Sequence, residues 1–237
     1  MLTSPEPPAK DAVAYHRELA VGWEQRYKKP AFKARLRTFE ECLAGHDLHG
    51  QNWLDAGCGS GILARHLVEA GARVLGVDAA EEMIAMAREL AREKGYGERL
   101  RFEHIPTIAN LPLSKNSLDG ILCSSVLEYV PDPAACLKEF ARVLRSTGLL
   151  VVSVANRRSV VRKTQVATHL LGRFFGRDWC AFLDHSHNEF SASDFCELLQ
   201  ENKFATRNII PFGSPIPQWL QRREVGGSLL VFCAVRE

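Results

Sequence analysis

The stretch Trp53-Leu54-Asp55-Ala56-Gly57-Cys58-Gly59-Ser60-Gly61-Ile62-Leu63-Ala64, with the acid-ended run Val74-Leu75-Gly76-Val77-Asp78 that follows it, decides the fold class. A short apolar strand, a glycine loop and then a helix make a nucleotide cradle: the glycines admit a ligand to the backbone, and the helix start offers N–H groups. An acid closing the next strand is placed to accept hydrogen bonds from a ribose diol. The glycines stand at 57, 59 and 61, so the dinucleotide pattern G-x-G-x-x-G fails at its third glycine. Asp55, two residues before the first glycine, repels a pyrophosphate and suits a cationic ligand such as an amino-acid ammonium.

A ligand with both a ribose and a cationic amino-acid tail is S-adenosylmethionine, and the loop resembles motif I of the class I S-adenosylmethionine-dependent methyltransferases. That resemblance implies cofactor contacts from Asp55, Gly57, Cys58, Gly59, Gly61, Asp78, Ala79 and Met83. The run Leu118-Asp119-Gly120-Ile121-Leu122-Cys123-Ser124-Ser125-Val126-Leu127-Glu128-Tyr129 is similar to the family's fourth-strand motif. The Gly-Ile-Leu-Ala continuation at 61–64 is most similar to the ubiquinone-biosynthesis O-methyltransferase group. By that likeness Ser124 lines the cofactor through its backbone, and Arg35 in the second N-terminal helix binds the methionyl carboxylate, with Arg37 nearly as well placed. Thr107 and Ile108 stand where many members place an acid on the adenine. The group also carries Glu-x-x-Glu-His after the fourth strand, a proposed magnesium site. Here those positions are Ser125, Glu128 and Tyr129; one glutamate is too few oxygen ligands for a hard cation, so no metal is expected.

Away from these motifs the chain is ordinary. With 237 residues, 46% of them hydrophobic, and a net charge of +2, it fits one large α/β domain, and nothing points to nucleic acid. Seven cysteines are scattered without C-x-x-C spacing, several inside apolar runs, which reads as a reducing, cytoplasmic setting without structural zinc. No run of about 18 apolar residues occurs.

Apolar segments alternate with helical ones, which calls for a doubly wound, mostly parallel sheet with right-handed crossovers. Strands 205–211 and 228–236 follow each other without a helix, so the last strand should run antiparallel; the resemblance implies seven strands with the seventh reversed. Residues 1–50 read as an N-terminal helical lid, with Tyr15, Trp23 and Tyr27 candidates to cover the substrate, the alternative, for Trp23 above all, being simple packing, and 51–237 as the cofactor-binding domain.

Methyl transfer to oxygen benefits from a base near neutrality. His185 and His187, in Asp184-His185-Ser186-His187, are the candidate catalytic residues, the alternative being loop histidines that cap the following helix. Residues 157–177 hold six basic residues and no acid, with Val161, Val166, Leu170, Leu171, Phe174 and Phe175 at helical spacing. This basic amphipathic insertion reads either as peripheral membrane contact or lid, or as a surface helix with its apolar stripe packed down. The expected activity is methylation of a small aromatic or apolar acceptor at oxygen. Nitrogen or carbon acceptors are alternatives, and a nicotinamide oxidoreductase is disfavoured by the loop.

Overall fold

A computed structural model describes residues 13–14, 30–177, 179–213, 223 and 225–237. Seven strands form one sheet: β1 (Asn52–Ala56), β2 (Arg73–Asp78), β3 (Leu100–His104), β4 (Leu118–Ser124), β5 (Leu144–Ala155), β6 (Phe204–Phe212) and β7 (Leu229–Arg236), in the order β3-β2-β1-β4-β5-β7-β6. β1 to β5 pair in parallel, while β7 runs antiparallel to both β5 and β6. This is the doubly wound sheet with a reversed last strand that the sequence predicts.

The period-2 alternation of strand side chains divides the core into two layers. Leu54, Ile121, Leu150, Val152 and Phe232 join Phe140 of α4 (Pro133–Val143) and Phe195 of α6 (Ala192–Glu201) on one face. Trp53, Val74, Leu149 and Val151 face the other way. They meet Phe39 of α1 (Pro30–Leu43), Leu67 of α2 (Ile62–Glu69) and Ile84 of α3 (Glu81–Lys94). Both layers are needed because a parallel sheet buries its two faces. Helix starts follow local chemistry: Asp132 accepts the Ala135 N–H at 3.0 Å, and Pro133 occupies the first turn of α4, where its missing N–H costs nothing.

α1 does not stand apart as a lid. Phe39 and Cys42 lie in the core while Phe32, Arg35 and Leu36 line a cavity, so the boundary near residue 50 cuts through one packed unit. Tyr15, Trp23 and Tyr27 lie outside the described residues. Cys42 is bonded to Cys233 of β7, with Cα atoms 6.0 Å apart across 191 residues of sequence. This corrects the reading of the cysteines as a reduced, unpaired set: spacing along the chain carries no information about two thiols that only the packing of α1 on the sheet brings together.

Candidate active site

The carboxyl ends of the strands open into a cavity of about 600 Å³, within the usual range for small-molecule sites. It sits at the topological switch point, where the chain passes from β1 outward to β2 and β3 and then back to β4. Gly57, Cys58 and Gly59 from the loop after β1 line it, as do Asp78, Ala79 and Met83 after β2, Thr107 and Ile108 after β3, and Ser124 after β4.

The loop is shaped by its glycines and tied down by its neighbours. Gly57 and Gly61 have φ of +73° and +79°, in the left-handed region that only glycine adopts at no steric cost. A Cβ on Gly57 would lie 2.2 Å from Val126 Cγ2. Gly57 and Cys58 donate their N–H groups to the Val77 carbonyl, at 2.8 and 2.9 Å. Asp78 accepts from the Gly59 N–H through Oδ2 and from the Ala80 N–H through Oδ1, both at 2.8 Å. A carboxylate has about four lone-pair sites, so Asp78 keeps acceptor capacity for a diol while it locks the loop.

Two expected cofactor residues stand behind this wall instead of in it. Gly61 begins α2 and packs over Phe102, whose ring leaves no room for a Cβ. Asp55 is 1% exposed. Burial, with the neighbouring Asp78 charge adding to it, pushes its pKa up to about 7, against the opposing pull of the Ala64 N–H and Arg65. Asp55 is therefore buried beside the first turn of α2, outside the lining of the cavity.

Arg35 lines the cavity, its guanidinium 5.4 Å from the Phe32 ring centroid, whereas Arg37 is exposed. Thr107 Oγ1 accepts the Ala109 N–H at 3.2 Å, so its hydroxyl oxygen is already partly engaged. Ser125 holds φ at +55°, an uncommon value for a residue with a side chain. Its N–H is fixed by Ser153 Oγ at 2.9 Å.

His185 and His187 do not line the cavity. His185 is buried and His187 is exposed. The segment serves through other atoms: the His187 and Asn188 N–H groups donate to the Glu128 carbonyl at 2.8 and 3.2 Å, and Asn188 Nδ2 donates to the Leu127 and Val130 carbonyls at 2.9 and 2.7 Å. It clamps the turn after β4. That turn places Glu128 and Tyr129 in the wall of the same cavity, which Arg162, Gln165 and Phe182 also line. Glu128 is 4% exposed, and burial raises its pKa against the lowering influence of Arg162, Arg35 and the Tyr129 hydroxyl.

Arg162 comes from α5 (Val160–Phe174), in the basic insertion, and its presence in the wall was not foreseen. α5 presents its polar face inward: Arg162 and His169 are 4% and 5% exposed, while Leu170 and Phe174 are 61% and 83% exposed. The spacing 162-165-169-172 holds Arg, Gln, His and Gly, a polar stripe at helical period that the sequence did show. Arg162 is held by Glu189 Oε1 and Ser186 Oγ, each at 2.7 Å, and His169 by Asp184 at 3.0 Å.

Comparison with known proteins agrees with this geometry. Residues 54–152 match the family described as "Methyltransferase domain". A ubiquinone biosynthesis O-methyltransferase of Idiomarina loihiensis is 36% identical over 167 residues, covering 68% of this chain and 65% of that protein. One from Psychrobacter cryohalolentis is 36% identical over 110 residues, 46% of this chain and 43% of that one. The chain thus spans between about two fifths and two thirds of the length of these relatives. The structure of magnesium protoporphyrin IX methyltransferase from Synechocystis PCC 6803, with bound S-adenosylhomocysteine, superposes with a TM-score of 0.68 at 22% identity over 96% of both chains. The cyclase SpnF superposes at 0.71 with 17% identity over 99% of both chains, so this fold alone does not dictate the reaction. The residues in the wall fit S-adenosylmethionine: Asp78 offers acceptors to a ribose, Arg35 a guanidinium to a carboxylate, and the buried Ser124 Oγ lacks a partner within the protein. Residues 54–152 match the methyltransferase-domain family, and the glycine loop, the acid that ends β2 and the reversed seventh strand agree with the class I S-adenosylmethionine-dependent methyltransferase fold.

Proposed function

We propose that the domain transfers the methyl group of S-adenosylmethionine to a hydroxyl oxygen of a small aromatic or otherwise apolar acceptor. One observation carries this reading: the cavity lined by the glycine loop is also lined by the apolar Val126, Val130, Phe182 and Leu229 and by Glu128, a buried carboxylate. Apolar walls suit an aromatic ring, and a carboxylate gives a hydroxyl somewhere to donate. The transfer itself asks little more than alignment of nucleophile and methyl and exclusion of water. The names of the relatives, ubiquinone biosynthesis O-methyltransferases, support oxygen as the acceptor atom. Incubation with S-adenosylmethionine and matched panels of phenols and amines, read by S-adenosylhomocysteine release and product mass, is expected to show turnover with phenols. Turnover confined to amines overturns the reading.

α5 supports a second feature, peripheral contact with a membrane surface. Among the described residues no helix is long and apolar enough to cross a membrane, but Leu170, Leu171, Phe174, Phe175 and Trp179 are all exposed, beside Lys163, Arg173 and Arg177. A contiguous apolar patch of this kind marks an interaction surface, and its basic flank favours anionic lipid. Sedimentation with phosphatidylglycerol-containing vesicles at low salt is expected to carry the protein down, and the double variant Leu171→Ser/Phe174→Ser to stay in solution. Equal recovery of both proteins in the supernatant overturns the proposal.

A further inference from the structure

Three residues that line the cavity carry buried polar atoms without hydrogen-bond partners: Ser124 Oγ, Ser125 Oγ and Glu128 Oε2. A buried carboxylate oxygen left unpaired is costly and calls for an explanation. Glu128 is not loosely placed. Its backbone carbonyl is clamped by the 187–188 N–H groups, and the Tyr129 hydroxyl donates to its carboxylate. The charged groups that face it are Arg162 from α5, Arg35 from α1 and Glu189 from the segment before α6. Arg162 is fixed in turn by Glu189 and Ser186. The result is a buried carboxylate in the cavity wall, one oxygen of which has no hydrogen-bond partner, under the electrostatic influence of two guanidinium groups.

Resting on the hydroxyl-acceptor reading above, we propose that Glu128 takes the proton of the acceptor hydroxyl on Oε2, with Tyr129 and Arg162 as positioning residues. As the transfer proceeds, a lone pair of the hydroxyl oxygen forms the new O–C bond. The C–S bond breaks with its electron pair remaining on sulfur, and the hydroxyl proton passes to Glu128. The sulfonium becomes a neutral thioether and the carboxylate a neutral carboxylic acid, so a charge pair is extinguished in a site of low dielectric and no co-reactant is needed. Burial, which raises the proton affinity of Glu128, makes it a better base than an exposed carboxylate.

The test compares wild type with Glu128→Gln on phenol, catechol and 4-nitrophenol across pH. In the variant, kcat on phenol is expected to fall by on the order of 100-fold or more, with S-adenosylhomocysteine affinity kept within about threefold. The defect should shrink at least about tenfold with 4-nitrophenol, which ionises without help, and the variant's rate should rise with the acceptor's own ionisation. Tyr129→Phe removes a donor that stabilises the ionised carboxylate, so the acidic limb of its kcat profile should move to higher pH. A Glu128→Gln variant that keeps the wild-type rate, or loses equally on all three phenols, overturns the proposal while leaving the hydroxyl reading intact. An unmoved acidic limb in Tyr129→Phe removes Tyr129 from it. Wild type that methylates amines and no phenol overturns both readings.

Discussion

Asp78→Ala is expected to weaken S-adenosylhomocysteine binding by about 100-fold, measured by titration calorimetry. The magnitude follows from the bonds at stake: hydrogen bonds to an ionised group contribute about 1.5–3 kcal/mol each, and about 1.4 kcal/mol is tenfold in affinity. The sequence gives this carboxylate one task, the ribose. The structure adds a second, because Asp78 also holds the Gly59 and Ala80 N–H groups at 2.8 Å. The alanine variant therefore loses a ligand contact and slackens the loop that shapes the cavity. The ligand-free protein should melt only a few degrees lower, since a loss of about 1–2 kcal/mol in a chain of this size moves the midpoint by roughly 2–8 °C. Affinity within threefold of wild type in the folded variant would remove Asp78 from the cofactor site.

Gly57→Ala should be as damaging to binding and more damaging to the fold. A left-handed φ of +73° costs an alanine roughly 1–2 kcal/mol. The added methyl also lands 2.2 Å from Val126 Cγ2 and 3.1 Å from its Cγ1. Valine is stiff about χ1 and cannot swing aside, so the loop itself must shift; overpacking of this kind costs about 1–3 kcal/mol. A drop in the melting midpoint on the order of 10 °C and loss of measurable cofactor binding are expected. Adding Val126→Ala should recover the steric part and leave the backbone part, restoring about half of the lost stability. A single variant that melts and binds like wild type would show that the cradle is not shaped by this glycine.

The two histidines and Glu128 show where reading the chain stops. His185 and His187 draw attention because imidazole is the usual base near neutrality, yet proton affinity depends on surroundings and not only on residue type. Burial gives Glu128 a raised affinity, and burial is a property of the folded chain. The residue itself stood in plain view, as the glutamate retained in the turn after β4. Arg162 was hidden for a related reason. A helical wheel gives two faces but not which one turns inward, and α5 turns its polar face inward, where Glu189 and Ser186 receive Arg162 and Asp184 meets His169.

What the sequence determined alone is the parallel sheet, its reversed final strand, the glycine loop and the acid that ends β2, together with Met83, Thr107, Ile108 and Ser124, which line the same cavity. These depend on local period, on glycine's access to positive φ and on the strand–loop–helix order, all of which are written in neighbouring residues. Only the tertiary structure decided that Asp55 is buried outside the cavity lining, that Arg35 and not Arg37 reaches the cavity, that Cys42 meets Cys233, and that Glu128 and Arg162 line the cavity together. Each of those depends on segments far apart in the chain meeting at one edge of the sheet, and the burial that meeting creates sets which groups are charged, which are paired and which are left open to a ligand.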